Sequence, residues 1–388
     1  MRREQVPPGL AEREAPPFEP TATLSGPPLK ERRIAIVSTA GLLQRGDKPF
    51  GLGAADYRII DAASDSDLLM SHVSTNFDRG GFVEDHNVVF PLERLSEKAE
   101  RGEIGSVARY HYSFMGATPP NQMETAASQL ANNLRGDEVD GLILVPVGPL
   151  CTLAVSGLAH YFERAGIPTV AIALIPQHAE QIAPPRVLSV PFILGRPLGV
   201  PNDEAFQHRV LTAALNLLEF SDGPKFVDYE EDAPAVEAED TWVCPVAFTA
   251  PEAADNHLSR VQGEVALLQP WHDRFVADKG SSTVGVSGLT LPQVIESLAE
   301  FAEGQVPDDG ERCDRLKLAA EDLKAFYNEA AIAQPGTATA QALEDWYWQS
   351  TEAGSMLRAI SARFAASEDQ RLKLTARMLL VPGSQVGK

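Results

Sequence analysis

At 388 residues, with 44% apolar and 22% charged side chains, the chain has the composition of a soluble globular protein too long for one ordinary core, so two domains or one domain with a large appendage are expected. Its net charge of −21 argues against nucleic acid or an anionic membrane surface as partner, since both need clustered Lys and Arg. Cys151, Cys244 and Cys313 are too scattered for a disulfide framework or a CxxC zinc site, no apolar run is long enough for a bilayer, and no apolar segment follows the charged N-terminus, so a cytoplasmic, reducing setting is expected.

Residues 1–30 are rich in Pro, Glu and Arg without periodicity and read as a mobile or surface-draped arm. Ile34–Val37 predicts a short buried strand, and Ser38 to Gly41 a small-residue turn at its carboxyl end. Neither GxGxxG nor GxxxxGK[ST] accompanies that turn, so nucleotide binding is not indicated. Tyr57–Ile60 predicts a second strand. LLMSHVS follows over 68–74, then a polar stretch over 75–87 with Asp78, Glu84, Asp85 and His86. Leucine and charge spacing predict a helix over 91–101, ended by Gly102. Alternation over 104–115 (IGSVARYHYSFM) predicts a strand with His111 near its end. Residues 121–135 predict an amphipathic helix, with Asn121 and Glu124 at capping-box spacing.

The most informative stretch is Val139 to Pro176. Val139–Val147 is an apolar, β-branched run of strand length, residues 152–165 carry apolar side chains at helical spacing, Gly166 and Pro168 close that helix, and Thr169–Ile175 is a second apolar run. This is a βαβ unit with two buried strands, which implies a parallel sheet with helices on its faces. The turn from Pro146 to Cys151 lies at a strand's carboxyl end, where open α/β sheets place ligands. Cys151 falls at the first helical turn, where unpaired N–H groups and the helix dipole favour a thiolate, so its sulfur is the first choice for a reactive atom. The bland alternative is a small buried cysteine packed under a helix.

Arg186–Val190 predicts one more strand, 195–201 a rigid loop and Asp203–Phe220 a closing helix. Composition changes after Lys225, and the acidic run DYEEDAPAVEAED reads as a linker or solvated strip. Beyond it, helices are expected over 251–268, 291–301, 313–333, 340–361 and 368–380. Trp242, Trp271, Trp346, Tyr347 and Trp348 are expected as core or interface anchors, and Cys244 and Cys313 as packing residues. The expected organisation is an arm over 1–30, an α/β domain over 31–225, a linker over 226–241 and a mainly helical region over 242–388. The fold class is α/β, a mostly parallel sheet with flanking helices (flavodoxin-like or doubly wound), plus a largely helical C-terminal extension.

Several motifs in series (DLLMSHVS, DHNVVFPLERL, GEIGSVARYHYSFMGATPP, DGLILVPVGPLCTLAVSGLAHYFERAGIPTVAIAL and VPFILGRPLGVPN) resemble the selenoprotein B family, the substrate-specific reductase subunits for glycine, sarcosine, betaine and D-proline. The similarity covers about residues 33–220. It implies an α/β subunit that reductively cleaves a C–N bond, with a selenocysteine or replacing cysteine in the turn after the central strand. In that comparison the selenocysteine aligns with Gly148, which has no nucleophile, whereas Cys151 matches a second family cysteine.

The leading expectation is an oxidoreductase-like enzyme acting through Cys151 on a small amino-acid-like or N-containing substrate, with His111 or His72 as proton donor and backbone N–H groups from Gly148 onward holding an anionic group. Ser38, Thr39, Asn87, Ser113 and Met115 are candidates to line the site. Glu84 and Asp85 are candidates to orient an imidazole. The alternatives are a ligand-binding or assembly subunit that has lost the selenocysteine, and a metal-dependent enzyme using His72, Asp85 and His111, although their spacing is no metal signature. No cofactor is expected beyond an external, thioredoxin-like thiol reductant, and a homo-oligomer is expected.

Overall fold

The computed structural model describes residues 9, 12–64, 67–234 and 256–386, which group into two compact units. The first contains the described residues up to 64 together with 77–234, and the second contains 67–76 together with 256–386. In chain order the elements up to residue 228 are β1 (Arg33–Ser38), β2 (Leu42–Gln44), β3 (Tyr57–Asp61), β4 (Leu68–Met70, in the second unit), α1 (Gly80–Glu84), α2 (Leu92–Glu100), β5 (Ser106–Val107), β6 (Tyr110–Phe114), α3 (Glu124–Gly136), β7 (Gly141–Val145), α4 (Cys151–Arg164), β8 (Thr169–Ala173), α5 (Pro176–Ile182), β9 (Arg186–Ser189), α6 (Glu204–Asn216) and β10 (Lys225–Asp228).

The first unit is a mostly parallel α/β sheet in the order β10-β9-β8-β7-β1-β6-β3, with β5 also paired to β1. Every pairing is parallel except that of β3 with β6. From β1 the chain reaches β6 on one side, then crosses to β7 and steps outward through β8, β9 and β10. That is the doubly wound, flavodoxin-like order, and its switch point lies between β1 and β7. The central strands β7 and β8 are buried at every residue, as expected where helices cover both faces. Helix α4 is buried from Cys151 through Glu163, so it runs inside the unit rather than on its surface. Its Leu158 and Phe162 join Leu130 and Leu134 of α3 and Leu142 and Leu144 of β7 in one core.

Local details depart from the sequence reading in instructive ways. Helix α3 starts at Glu124 after a 3-10 turn over Pro120–Gln122, its N-cap is Met123, and Asn121 forms no capping box. The stretch expected to open the acidic linker begins as a strand, because Lys225–Asp228 pairs in parallel with β9; residues 235–241 lie outside the described residues, as do Trp242 and Cys244. The described part of the arm is laid on the unit rather than loose. Phe18 stacks on His160, and Leu24 donates its N–H to Glu163 and accepts from Arg186.

The second unit is helical: α7 (His257–Lys279), α8 (Leu291–Glu303), α9 (Gly310–Ile332), α10 (Ala340–Ser350), α11 (Glu352–Ala365) and α12 (Gln370–Thr375), followed by a π-helical turn over Ala376–Leu380. The single helix expected over 340–361 is two, because Thr351 is extended and its side chain caps α11 through the Gly354 N–H. Trp346, Tyr347, Trp348 and Cys313 are buried in this unit's core. No helix among the described residues is long and apolar enough to cross a membrane.

Candidate functional site

Three loops meet at the switch point. The turn after β1 brings Thr39, the turn after β6 brings Gly116, and the turn after β7 ends at Cys151. Thr39 donates its N–H to Val145 O at 2.9 Å, which ties the first turn to the end of β7. Its carbonyl accepts the Gly116 N–H at 3.1 Å and the Cys151 thiol at 3.6 Å. The Cys151 N–H donates to Gly148 O at 3.1 Å, so the Gly148 to Leu150 segment closes as a turn that starts α4.

Cys151 is fully buried. Burial pushes its thiol up from the ordinary value, and the hydrogen bonds with Thr39 and the backbone at Val147 and Gly148 offset only part of this. The sequence reading expects the opposite direction from the helix N-terminus. The magnitudes explain the difference. A helix terminus stabilises an anion by about 0.3–1 kcal/mol, up to about 2 in partly buried geometries. Full burial shifts a titratable group by as much as about 3–5 pKa units, several kcal/mol.

His111 serves the sheet. β1 pairs with β5 at Arg33 and Ile34 and with β6 at Val37 and Ser38, so Ala35 and Ile36 face the four residues 108–111, a bulge. Asp137 satisfies the bulge by accepting from Arg109 N at 3.0 Å and Tyr110 N at 3.2 Å, and Arg33 holds that carboxylate at 2.6 Å. The Ile36 N–H has no strand carbonyl opposite it and donates instead to His111 Nδ1 at 2.9 Å. The imidazole is therefore the neutral tautomer with its proton on Nε2, which is buried with no hydrogen bond among the described residues. Burial pushes its pKa down to about 4, while the Ala108 backbone and Asp137 pull back only in part.

The remaining candidates are engaged with their surroundings. Ser38 Oγ donates to Val89 O at 3.1 Å, and Ser113 Oγ accepts from Leu42 N at 2.8 Å. Asn87 donates to Asp85 and Glu93 and accepts from Glu93 N. Burial raises the Asp85 carboxyl, but hydrogen bonds from Gln207, Asn202 and Asn87 outweigh it and hold the group below the usual range. Met115 pairs with Ala40 through an isolated bridge. His72 belongs to the second unit, where it is buried and accepts from Ser74 N through Nδ1 at 3.1 Å. Among the described residues no three His, Cys, Asp or Glu side chains converge to hold a metal ion.

A sequence model of the family described as "Glycine/sarcosine/betaine reductase selenoprotein B (GRDB)" matches residues 17–147. The chain is 30% identical over 194 residues to the D-proline reductase subunit gamma of Acetoanaerobium sticklandii, covering 49% of this chain and 79% of that one. It belongs to the selenoprotein B family. The glycine reductase complex component B subunit gamma of Peptoclostridium acidaminophilum is 28% identical over 203 residues, covering 49% of this chain and 46% of its own length. The betaine reductase complex component B subunit beta of the same organism is 30% identical over 181 residues, covering 44% and 41%. The chain thus spans less than half the length of these two relatives. No solved structure matches it.

Within this selenoprotein B chain, the sequence reading overlooks two groups that shape the site. Gly195 donates its N–H to Val147 O at 2.8 Å, which lays the loop after β9 against the turn that carries Cys151. The next residue, Arg196, is buried and pairs with Asp78 at 2.6 Å and Glu84 at 3.7 Å. The other group is Gly116, whose signal was its position directly after a strand that ends at the switch point.

Proposed function

We propose that the chain is a component of an amino-acid-reductase-like assembly, a ligand-binding or assembly subunit whose switch point is built for a small amino-acid-like or N-containing substrate. In this reading its own thiol is not the attacking atom. The observation that carries it is the fully buried Cys151, held as a protonated thiol against Thr39 O, in a turn with glycine at position 148. Supporting it are the printed names of the relatives, which are subunits and complex components of D-proline, glycine and betaine reductases. The test is the pH dependence of Cys151 alkylation, located by peptide mass analysis. Slow reaction with an apparent pKa above the ordinary 9.0 is expected. Fast reaction at neutral pH overturns the reading.

One observation favours a second reading. Cys151 stands at the first residue of α4 and at the switch point, where a thiol uncovered by loop movement would gain the helix terminus without the burial penalty. The chain would then be a thiol oxidoreductase for reductive C–N cleavage, with Cys151 returned to its reduced state by an external thioredoxin-like dithiol. Amino-acid-dependent oxidation of a dithiol by the purified protein, abolished in Cys151→Ser, is its test. Homo-oligomerisation and a cytoplasmic location belong to either reading, the first checked by light scattering and the second by fractionation.

A further inference from the structure

A glycine from another loop, Gly116 in the turn after β6, lies directly against the Cys151 sulfur. Gly116 has a backbone that any residue can adopt, since its φ is not in the left-handed region, so its lack of a side chain answers to space. A Cβ built there would overlap the Cys151 Sγ and come within 2.8 Å of Thr39 Cβ and 2.9 Å of Thr39 O. The sulfur therefore occupies the volume that a side chain at 116 would need. The Thr39 carbonyl completes the enclosure, taking the Gly116 N–H at 3.1 Å and the thiol at 3.6 Å. The turn that carries Gly116 is itself pinned, by Thr118 Oγ1 donating to Ala54 O at 2.7 Å and by Thr118 N donating to Met115 O at 3.2 Å.

We propose that Gly116 is a positioning residue for the switch-point thiol: with the Thr39 carbonyl it forms a seat that holds the Cys151 sulfur buried and out of reach, so that the reactivity of this cysteine is set at position 116. The proposal rests on the functional reading above and specifies how the site is kept quiet. A thiol in the seat keeps the Thr39 carbonyl as acceptor and is buried from solvent. A sulfur displaced from it loses that acceptor and gains solvent at the start of a helix, where the thiolate is favoured.

The test compares the full-length protein with Gly116→Ala, Cys151→Ala and the double variant, and uses two independent readouts. In alkylation by iodoacetamide, Gly116→Ala is expected to raise the Cys151 rate at pH 7.5 by about tenfold or more and to move its apparent pKa downward. In thermal unfolding, Gly116→Ala is expected to lower the midpoint, and Cys151→Ala in the same chain to restore part of the loss, because removing the sulfur relieves the closest of the three contacts the new methyl group meets while those with Thr39 Cβ and O remain. Additive effects on the midpoint, together with an unchanged alkylation rate in a folded Gly116→Ala protein, overturn the proposal. If Gly116→Ala does not fold alone, recovery of the fold in the double variant still supports the seat, and failure of both to fold counts against it. A wild-type Cys151 that is already fast at neutral pH overturns both the functional reading and the claim that the seat quiets the thiol, whereas a slow wild-type Cys151 with additive midpoints and an unchanged rate in Gly116→Ala overturns the seat alone.

Discussion

The neutral imidazole of His111 makes the stability of the α/β unit depend on pH in a way that can be computed from its surroundings. In the folded chain its pKa is pushed to about 4, against 6.5 for a free side chain. As pH falls, the unfolded chain therefore takes up the proton first, so stability is full above 6.5 and is lost progressively down to about 4. At about 1.4 kcal/mol for each tenfold in proton affinity, the whole loss is roughly 3 kcal/mol, with roughly 2 kcal/mol already gone at pH 5. The structural cause is specific, because protonation at Nδ1 would set an N–H against the Ile36 N–H that Nδ1 now accepts. His111→Asn supplies an amide oxygen close to the position of Nδ1 and cannot titrate in this range. Urea unfolding followed by far-ultraviolet circular dichroism, at several pH values from 7.5 to 5, should give a steeper decline for the wild type than for His111→Asn. Parallel profiles for the two proteins would refute the argument, since every other ionisable group is common to both.

Other consequences follow from pairs that the sheet keeps from water. Arg186→Met strands the fully buried Glu163 carboxylate and should cost about 3–5 kcal/mol in equilibrium unfolding, whereas Arg186→Met with Glu163→Leu should recover most of it. Because Leu24 bonds to both partners, Arg186→Met should also speed limited proteolysis within residues 12–31, and an arm that stays as resistant as before would contradict this. Gly195→Ala meets the left-handed φ of +97° and a collision with the Asp78 carbonyl, so a loss of about 2 kcal/mol or more is expected, read as a lower melting temperature. Asp85→Asn removes a carboxylate whose folded pKa is depressed; the wild-type advantage should be present above the unfolded value of 3.8, shrink as pH falls below it, and be about 1–3 kcal/mol at neutral pH.

The parts legible in the sequence are those that obey one period throughout. β7, α4 and β8 are legible within a few residues because continuous apolar runs flank a helical pattern and Gly166, at φ +89°, closes that helix. The short elements β2, α1 and α5 are not, since three to seven residues give too little repeat to recognise. The alternation over 104–115 reads as one strand, whereas it is β5 and β6 around a bulge. Nothing local to that stretch announces the break, because the groups that stabilise it, Asp137 and Arg33, come from elsewhere in the chain. The same holds for the site. Cys151 could be placed at a helix start from spacing alone, but the Thr39 carbonyl and Gly116 that enclose it arrive from two other strand ends.

The direction of a thiol's pKa at a helix start is therefore a tertiary property. The favourable field of a helix terminus depends on position along one chain segment and is readable from sequence. The desolvation that opposes it depends on what the other loops of the switch point bring against the sulfur, and here they bring a carbonyl and a glycine Cα that leave it fully buried. Since desolvation is the larger effect by a factor of about two or more, a doubly wound sheet can hold a cysteine at its ligand-binding end and still leave it unreactive. Reactivity at such a position then turns on how firmly its neighbours close over it, which is why Gly116, outside α4 altogether, is a place to probe Cys151.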